Sequence, residues 1–170
     1  MADVWFCSDL HFGHKNIGKF REPCNITNEA HNRQTIAHDW HNCVTKRGVV
    51  YVLGDACFTM ETVETFASLP GKKILVRGNH DLLDTQVYLK YFEGVYGLLK
   101  YKEFWLSHAP IHPHELRGKV NLHGHVHFNT VLHDNGKTDN RYFNCCPENL
   151  WALKGRALIS LDEIRKYLND

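Results

Sequence analysis

Five short, nearly unbroken apolar runs recur along the chain, and each leads into polar residues of a similar kind. DVWFCS (3–8) stops at Asp9, VVYVLGD (49–55) closes on Gly54-Asp55, and KKILVRGNHD (72–81) ends in Gly78-Asn79-His80-Asp81. EFWLSHAP (103–110) reaches His108, and KVNLHGHVH (119–127) ends among histidines. Apolar runs of this length bounded by Gly or Pro predict buried strands. Between them, residues 28–44 place Ile36, Trp40 and Val44 four apart, the spacing of a helix packed on a sheet. Residues 60–69 and 85–92 predict shorter helices, and Ser160 with Glu163 predicts a capping box opening a last helix. Strands alternating with helices indicate an α/β protein with much parallel pairing, whose ligands bind beyond the carboxyl ends of the strands.

Composition narrows the picture. A chain of 170 residues with no repeat, linker or low-complexity segment is read as one domain, 1–170. The net charge of +1 provides no global field for nucleic acid or a membrane surface. Six cysteines include no Cys-x-x-Cys pair, and Cys7, Cys145 and Cys146 lie in apolar stretches as small buried hydrophobes. The stretch MADVWFCSDL lacks the features of a signal peptide, and no apolar run approaches the ~20 residues of a membrane span. A cytoplasmic setting is therefore expected, with no membrane partner. The oddity is 13 histidines. Three of them, His123, His125 and His127, alternate in NLHGHVHFN, which suits either a polar strand face or a metal site.

The other strand ends bear on that choice. Asp9-x-His11, Gly54-Asp55, Gly78-Asn79-His80-Asp81, His108 and Gly124-His125-x-His127 each have an ordinary explanation alone, such as a helix cap or a core histidine. In this order, each at a strand end, they resemble the calcineurin-like metallophosphoesterases, and SDLHFGHKNI resembles the small bacterial and phage members. The resemblance implies a four-layer α/β/β/α sandwich with a dinuclear metal site at the strand C-terminal ends. It implies that Asp9, His11 and His127 hold one ion and Asn79, His108 and His125 a second, with Asp55 bridging. Alternate strand placement would then turn His125 and His127 to one side, leaving His123 in a supporting role. Carboxylate, imidazole and amide ligands suit divalent Mn foremost, with Fe, Zn or Ni as alternatives.

By the same resemblance the chain is a metal-dependent phosphoesterase hydrolysing a small phosphate ester by attack of a metal-bridging hydroxide, two ions ~3.5–4 Å apart clamping the displacement. A phosphodiester of a nucleotide or similar small molecule is the expected substrate. His80 is the candidate acid for the departing alkoxide, placed beside the second metal, with Asp81 orienting its ring and favouring its charged form. His14, Lys15 and Asn16 follow the first motif as candidate substrate contacts, and Arg21 and Arg77 as candidate phosphate contacts, although Arg77 could equally pair with a carboxylate beneath the site. His112 and His114 are expected on the rim, and His31, His38 and His41 on a solvated helix face. The alternative activities are a nuclease, which would want a basic channel with stacking platforms, and a protein phosphatase, whose substrate surfaces need a larger chain. A non-catalytic scaffold, as in one retromer subunit that resembles this fold, would have lost ligands that this chain retains.

Overall fold

The computed structural model describes residues 3–169. The first half runs β1 (Val4–Cys7), α1 (Ile17–Phe20), α2 (Glu29–Cys43), β2 (Val49–Val52), α3 (Met60–Ala67), β3 (Lys72–Val76), α4 (Thr85–Tyr88) and β4 (Gly94–Tyr96). The second runs β5 (Leu98–Tyr101), β6 (Phe104–Ser107), β7 (Val120–His123), β8 (Tyr142–Asn144), α5 (Pro147–Lys154), β9 (Ile159–Ser160) and α6 (Leu161–Asn169). The five predicted strands all form, each shorter than its apolar run because the polar ends leave the sheet. The 85–92 helix shortens to α4. Asn28 caps α2 by accepting the His31 N–H, and Ser160 and Glu163 complete the capping box of α6.

Two sheets result. The first has the order β4-β3-β2-β1-β9, parallel except for β9, and the second the order β5-β6-β7-β8, with only β5 antiparallel to its neighbour. Helices α2, α3 and α4 lie on the three crossovers that join the parallel strands of the first sheet. The chain passes between the sheets at both edges, through Gly97 from β4 to β5 and through α5 from β8 to β9.

Strand alternation explains the unbroken apolar runs. Cys7, Val50, Val52 and Leu75 face a core shared with Ile36 and Trp40 of α2 and Val63 and Phe66 of α3. Their neighbours Phe6, Tyr51, Leu53 and Val76 face the other way, onto Phe104, Leu106, Leu122 and Phe143 of the second sheet. A sheet covered on both faces needs apolar residues at every position. The outer face of the second sheet is covered by the segment 109–118. There Trp105 Nε1 donates to the Leu116 carbonyl, Tyr142 Oη to the Ile111 carbonyl, and the Ile111 N–H to Asn121 Oδ1. Among the described residues no helix is long and apolar enough to cross a membrane.

Phe66 is fully buried and packs its ring against Trp40, Phe12 and Phe92 at centroid distances of 5.1, 5.7 and 5.8 Å. Phe66→Ala should cost about 3–5 kcal/mol of unfolding free energy in urea titrations. Exposed Leu132→Ala should stay within about 0.5 kcal/mol.

Candidate metal centre

The parallel strands β1 and β2 run on side by side after their ladder ends. The Asp9 N–H donates to the Gly54 carbonyl (2.9 Å), His11 to Asp55 (3.0 Å) and Phe12 to Ala56 (3.0 Å). These paired loops carry three candidate ligands at one level. The loops after β3, β6 and β7 bring Asn79, His108, His125 and His127 to the same place. Five of the seven, namely Asp9, His11, Asp55, His125 and His127, have φ between 49° and 70°, a region that non-glycine residues seldom adopt. Backbone strain of this kind clusters at functional sites. It also corrects the expectation for the histidines: β7 ends at His123, and a turn rather than strand alternation presents His125 and His127. The turn depends on Gly124, where a Cβ would overlap Ser8 Oγ and Asp9 Oδ2.

Two sets of ligand atoms converge. In the first, Asp9 Oδ1 lies 3.4 Å from His11 Nε2 and 3.7 Å from His127 Nε2. In the second, His108 Nε2 lies 2.9 Å from Asn79 Oδ1, 3.2 Å from His125 Nδ1 and 3.5 Å from Asp55 Oδ2. Asp55 Oδ2 is also 3.9 Å from His11 Nε2, so this carboxylate stands between the two sets. Ligands ~2.0–2.2 Å from one ion sit about 3–3.5 Å from each other, close to the spacings observed. Asp9 Oδ1 and both ring nitrogens of His11 are buried with no hydrogen-bond partner among the described residues. Buried polar atoms left without partners point to a missing ion or water. The donor set therefore fits divalent cations.

Each ligand is held from behind. His108 Nδ1 lies 2.8 Å from the Leu53 carbonyl, which fixes the tautomer that leaves Nε2 free to ligate. Asp9 Oδ2 accepts from Ser8 Oγ (2.5 Å), the His125 N–H (2.8 Å) and Cys146 Sγ (3.3 Å). Burial alone would raise the Asp9 carboxyl, but His11, His108 and the Ser8 hydroxyl hold it well below the usual carboxylate range. Glu148 on α5 lies 3.1 Å from His127 Nδ1 and raises the affinity of that ring for protons. Sequence reasoning missed Glu148, because neither a motif nor an apolar period marks a lone acid far along the chain.

Two expected roles are corrected. Arg21 is no phosphate contact. It is fully buried, and its Nε donates to Glu148 (2.7 Å) while its Nη atoms donate to Asn32 Oδ1 (2.6 Å) and to the Leu10 and Asp9 carbonyls. It ties the first metal loop to α2 and α5. Asp81 does not orient His80. Its buried carboxylate accepts the backbone N–H groups of Asp55 (2.8 Å), Ala56 (3.0 Å) and Gly78 (2.8 Å), locking two site loops together. Among the described residues Arg77 pairs with no carboxylate; it donates to the Asp81 and Leu83 carbonyls and to Thr85 Oγ1.

His80 lies against the carboxylate shared by both sets. Its N–H donates to Asp55 Oδ1 (2.8 Å), and its ring stacks on Phe58 at 5.4 Å and lies 6.2 Å from His11 of the first set. It shares a cavity of about 340 Å³ with His11, His14 and His127, whereas Lys15 and Asn16 are exposed and do not line it. His123 is buried behind the ligands, its Nδ1 2.9 Å from the Gly124 carbonyl. His112 and His114 sit exposed on the 3-10 turn Pro113–Glu115, His38 and His41 are exposed on α2, and His31 is half-buried against Thr27.

Known proteins resemble this chain over most of its length. The sequence pattern of the calcineurin-like phosphoesterases matches residues 2–163. An uncharacterized protein of Methanocaldococcus jannaschii is 31% identical over 137 residues, which cover 76% of this chain and 72% of that protein. The Gene 66 protein of Mycobacterium phage D29 is 34% identical over 86 residues, or 48% of this chain and 41% of the phage protein, so the match spans less than half of that relative. The crystal structure of a protein of unknown function from Aquifex aeolicus superposes with a TM-score of 0.72 at 25% identity, covering 98% of this chain and all of the other.

Arg21→Met should lower unfolding free energy by about 3–5 kcal/mol, because it leaves Glu148 buried without its cation. Urea denaturation checks this. A normally folded variant with only a raised KM would restore the phosphate-contact role.

Proposed function

The chain belongs to the calcineurin-like phosphoesterase family, and on that premise we propose that it is a dinuclear metal-dependent phosphodiesterase acting on a nucleotide or similarly small diester. The observation that carries this reading is the pair of ligand sets sharing Asp55, with Asp9 Oδ1 and His11 Nε2 of the first set buried and unpartnered among the described residues. In this reading Asp9, His11, His127 and Asp55 hold one cation, and Asn79, His108, His125 and Asp55 the other. Oxygen and imidazole donors favour Mn²⁺, with Fe, Zn and Ni also compatible. When bound, two such ions supply acidification of the attacking water and neutralisation of charge on the phosphoryl oxygens.

The residues around the ions support a diester over a monoester. No lysine or arginine lines the cavity beside the first ligand set. A second groove of about 400 Å³ opens beside Asn79, His108 and His125, and its one cation, Arg77, is spent on two carbonyls and a hydroxyl. A monoester dianion would find few groups to match its extra charge, while a diester could extend one arm to each side. The small net charge also argues against tight binding to long nucleic acid.

In this reading His80 serves the departing oxygen. Its backbone is pinned to Asp55, Phe58 supports its ring, and the ring faces the cavity next to His11. Asp81 serves the loop backbone and contributes position only.

Metal-replete protein should contain two ions per chain by elemental analysis, and Asp55→Asn should reduce the occupancy of both. With Mn²⁺, kcat/KM for a bis-aryl phosphate should exceed that for the aryl monoester. A monoester faster by about tenfold would reverse the diester assignment.

His80→Ala should lose roughly 10²–10⁴-fold on a nucleoside or alkyl diester and clearly less on a nitrophenyl diester, whose leaving group needs no proton. Metal content should stay unchanged. Asp81→Asn should lower stability and affect both substrates alike, because the carboxylate it alters holds three backbone amides.

A further inference from the structure

Two large apolar side chains are left in the open at the mouth of the site. Phe20, at the end of α1, is 62% exposed, and Phe128, next in sequence to His127, is 52% exposed. They come from segments more than a hundred positions apart, yet both line the cavity that holds His11, His14 and His80. Scattered exposed apolar residues need no explanation, but two aromatic rings lining one cavity beside the candidate ligands do. The His14 ring meets Phe20 edge-on at 5.7 Å and Phe58 edge-on at 5.2 Å, so Phe20 is braced against the body of the protein. The groove on the opposite side, bordered by Leu98, Ala109 and Ile111, contains no phenylalanine, tyrosine or tryptophan.

The two sides therefore differ in their aromatic lining. His80 faces the cavity with the phenylalanines, and the arm that leaves must be the one whose oxygen His80 can reach. We propose that the cleft walled by Phe20 and Phe128 is a subsite for a planar aromatic ring on the leaving arm of the substrate, so that the protein selects esters whose departing alcohol carries such a ring. The inference rests on the phosphoesterase reading above and deepens it. A π-face suits the site because its polar lining is histidine, with the buried Glu148 already engaged by Arg21 and His127. Stacking tolerates many rings, so a nucleobase and a simple aryl group share the chemistry, and the test must separate them.

Calorimetric titration of the Mn²⁺-loaded protein with three non-hydrolysable probes, methylphosphonate, phenylphosphonate and adenosine 5′-phosphonate, provides that test. At least one ring-bearing probe should bind roughly 5- to 100-fold more tightly than methylphosphonate. The tighter of the two identifies the kind of ring. Phe20→Ala and Phe128→Ala should each reduce this preference and together abolish it, leaving methylphosphonate affinity and metal content unchanged. Phe20→Tyr and Phe128→Tyr, which keep the ring, should retain it, and the exposure of both positions lets all variants fold. Equal affinity for all three probes in the parent protein, or a preference that survives the double alanine variant, overturns the subsite while leaving the phosphoesterase reading intact. Self-association that disappears in the double variant also overturns it, since the rings would then belong to an interface between copies. If no phosphonate binds while a diester is still hydrolysed, the subsite is overturned alone; if no diester is hydrolysed either at full metal loading, the phosphoesterase reading fails with it.

Discussion

The carboxylate of Asp9 sets the terms for everything around it. It is wholly buried, one oxygen is saturated by Ser8, the His125 N–H and Cys146, and the other faces His11 and His127 with no hydrogen bond among the described residues. A buried charge left unpaired is among the most expensive features a fold can carry. Here it is compensated indirectly. Arg21 donates to the Asp9 main chain, the histidines hold the carboxyl ionised, and Glu148 shares the guanidinium. A dication at the open oxygen would relieve the same strain, which couples metal binding to the stability of the folded state.

Support for the site is distributed so that no ligand depends on its own loop alone. Asp81 joins the loop after β2 to the loop after β3, Leu53 fixes the tautomer of His108, and Glu148 brings α5 against His127. The partners come from remote positions: Arg21 and Glu148 are 127 residues apart, and Asp55 and Asp81 are 26 apart. The ligand geometry therefore depends on contacts between remote parts of the chain.

This dependence explains what could be read in advance. β1, β2, β3, β6 and β7 were legible because strands with both faces covered are apolar at every position, and α2 because Ile36 and Trp40 keep helical spacing. β4, β5, β8 and β9 were not, since edge strands of two to four residues carry too little pattern. The residues that gather at the centre were marked by their order along the chain. Their supports were not, because an arginine after a metal motif looks the same whether it meets a phosphate or a buried glutamate. Only the fold separates Arg21, sealed behind Asp9, from a residue open to solvent. The histidines 123, 125 and 127 misled in a related way, their alternation suggesting a strand that in fact ends at the first of them.

The strained backbone shows how the fold sustains such a centre. Five candidate ligands with positive φ, at about 1–3 kcal/mol each, represent a sum comparable to the net stability of an ordinary domain. Such a load persists only where the surroundings leave the chain no relaxed alternative. Hydrogen bonds from Asp9 to Gly54, from His11 to Asp55 and from Phe12 to Ala56 extend the parallel ladder into the loops. Leu10 and Phe12, each next in sequence to a candidate ligand, anchor the same segment in the core beneath α2 and α3. In the first loop, the alternation that sends Asp9 and His11 to the site sends Leu10 and Phe12 to the core. Relaxing one ligand would therefore pull an apolar side chain out of its packing. The strain is thus held by hydrophobic burial, and the ligand positions inherit their rigidity from the core on the far side of the same four residues.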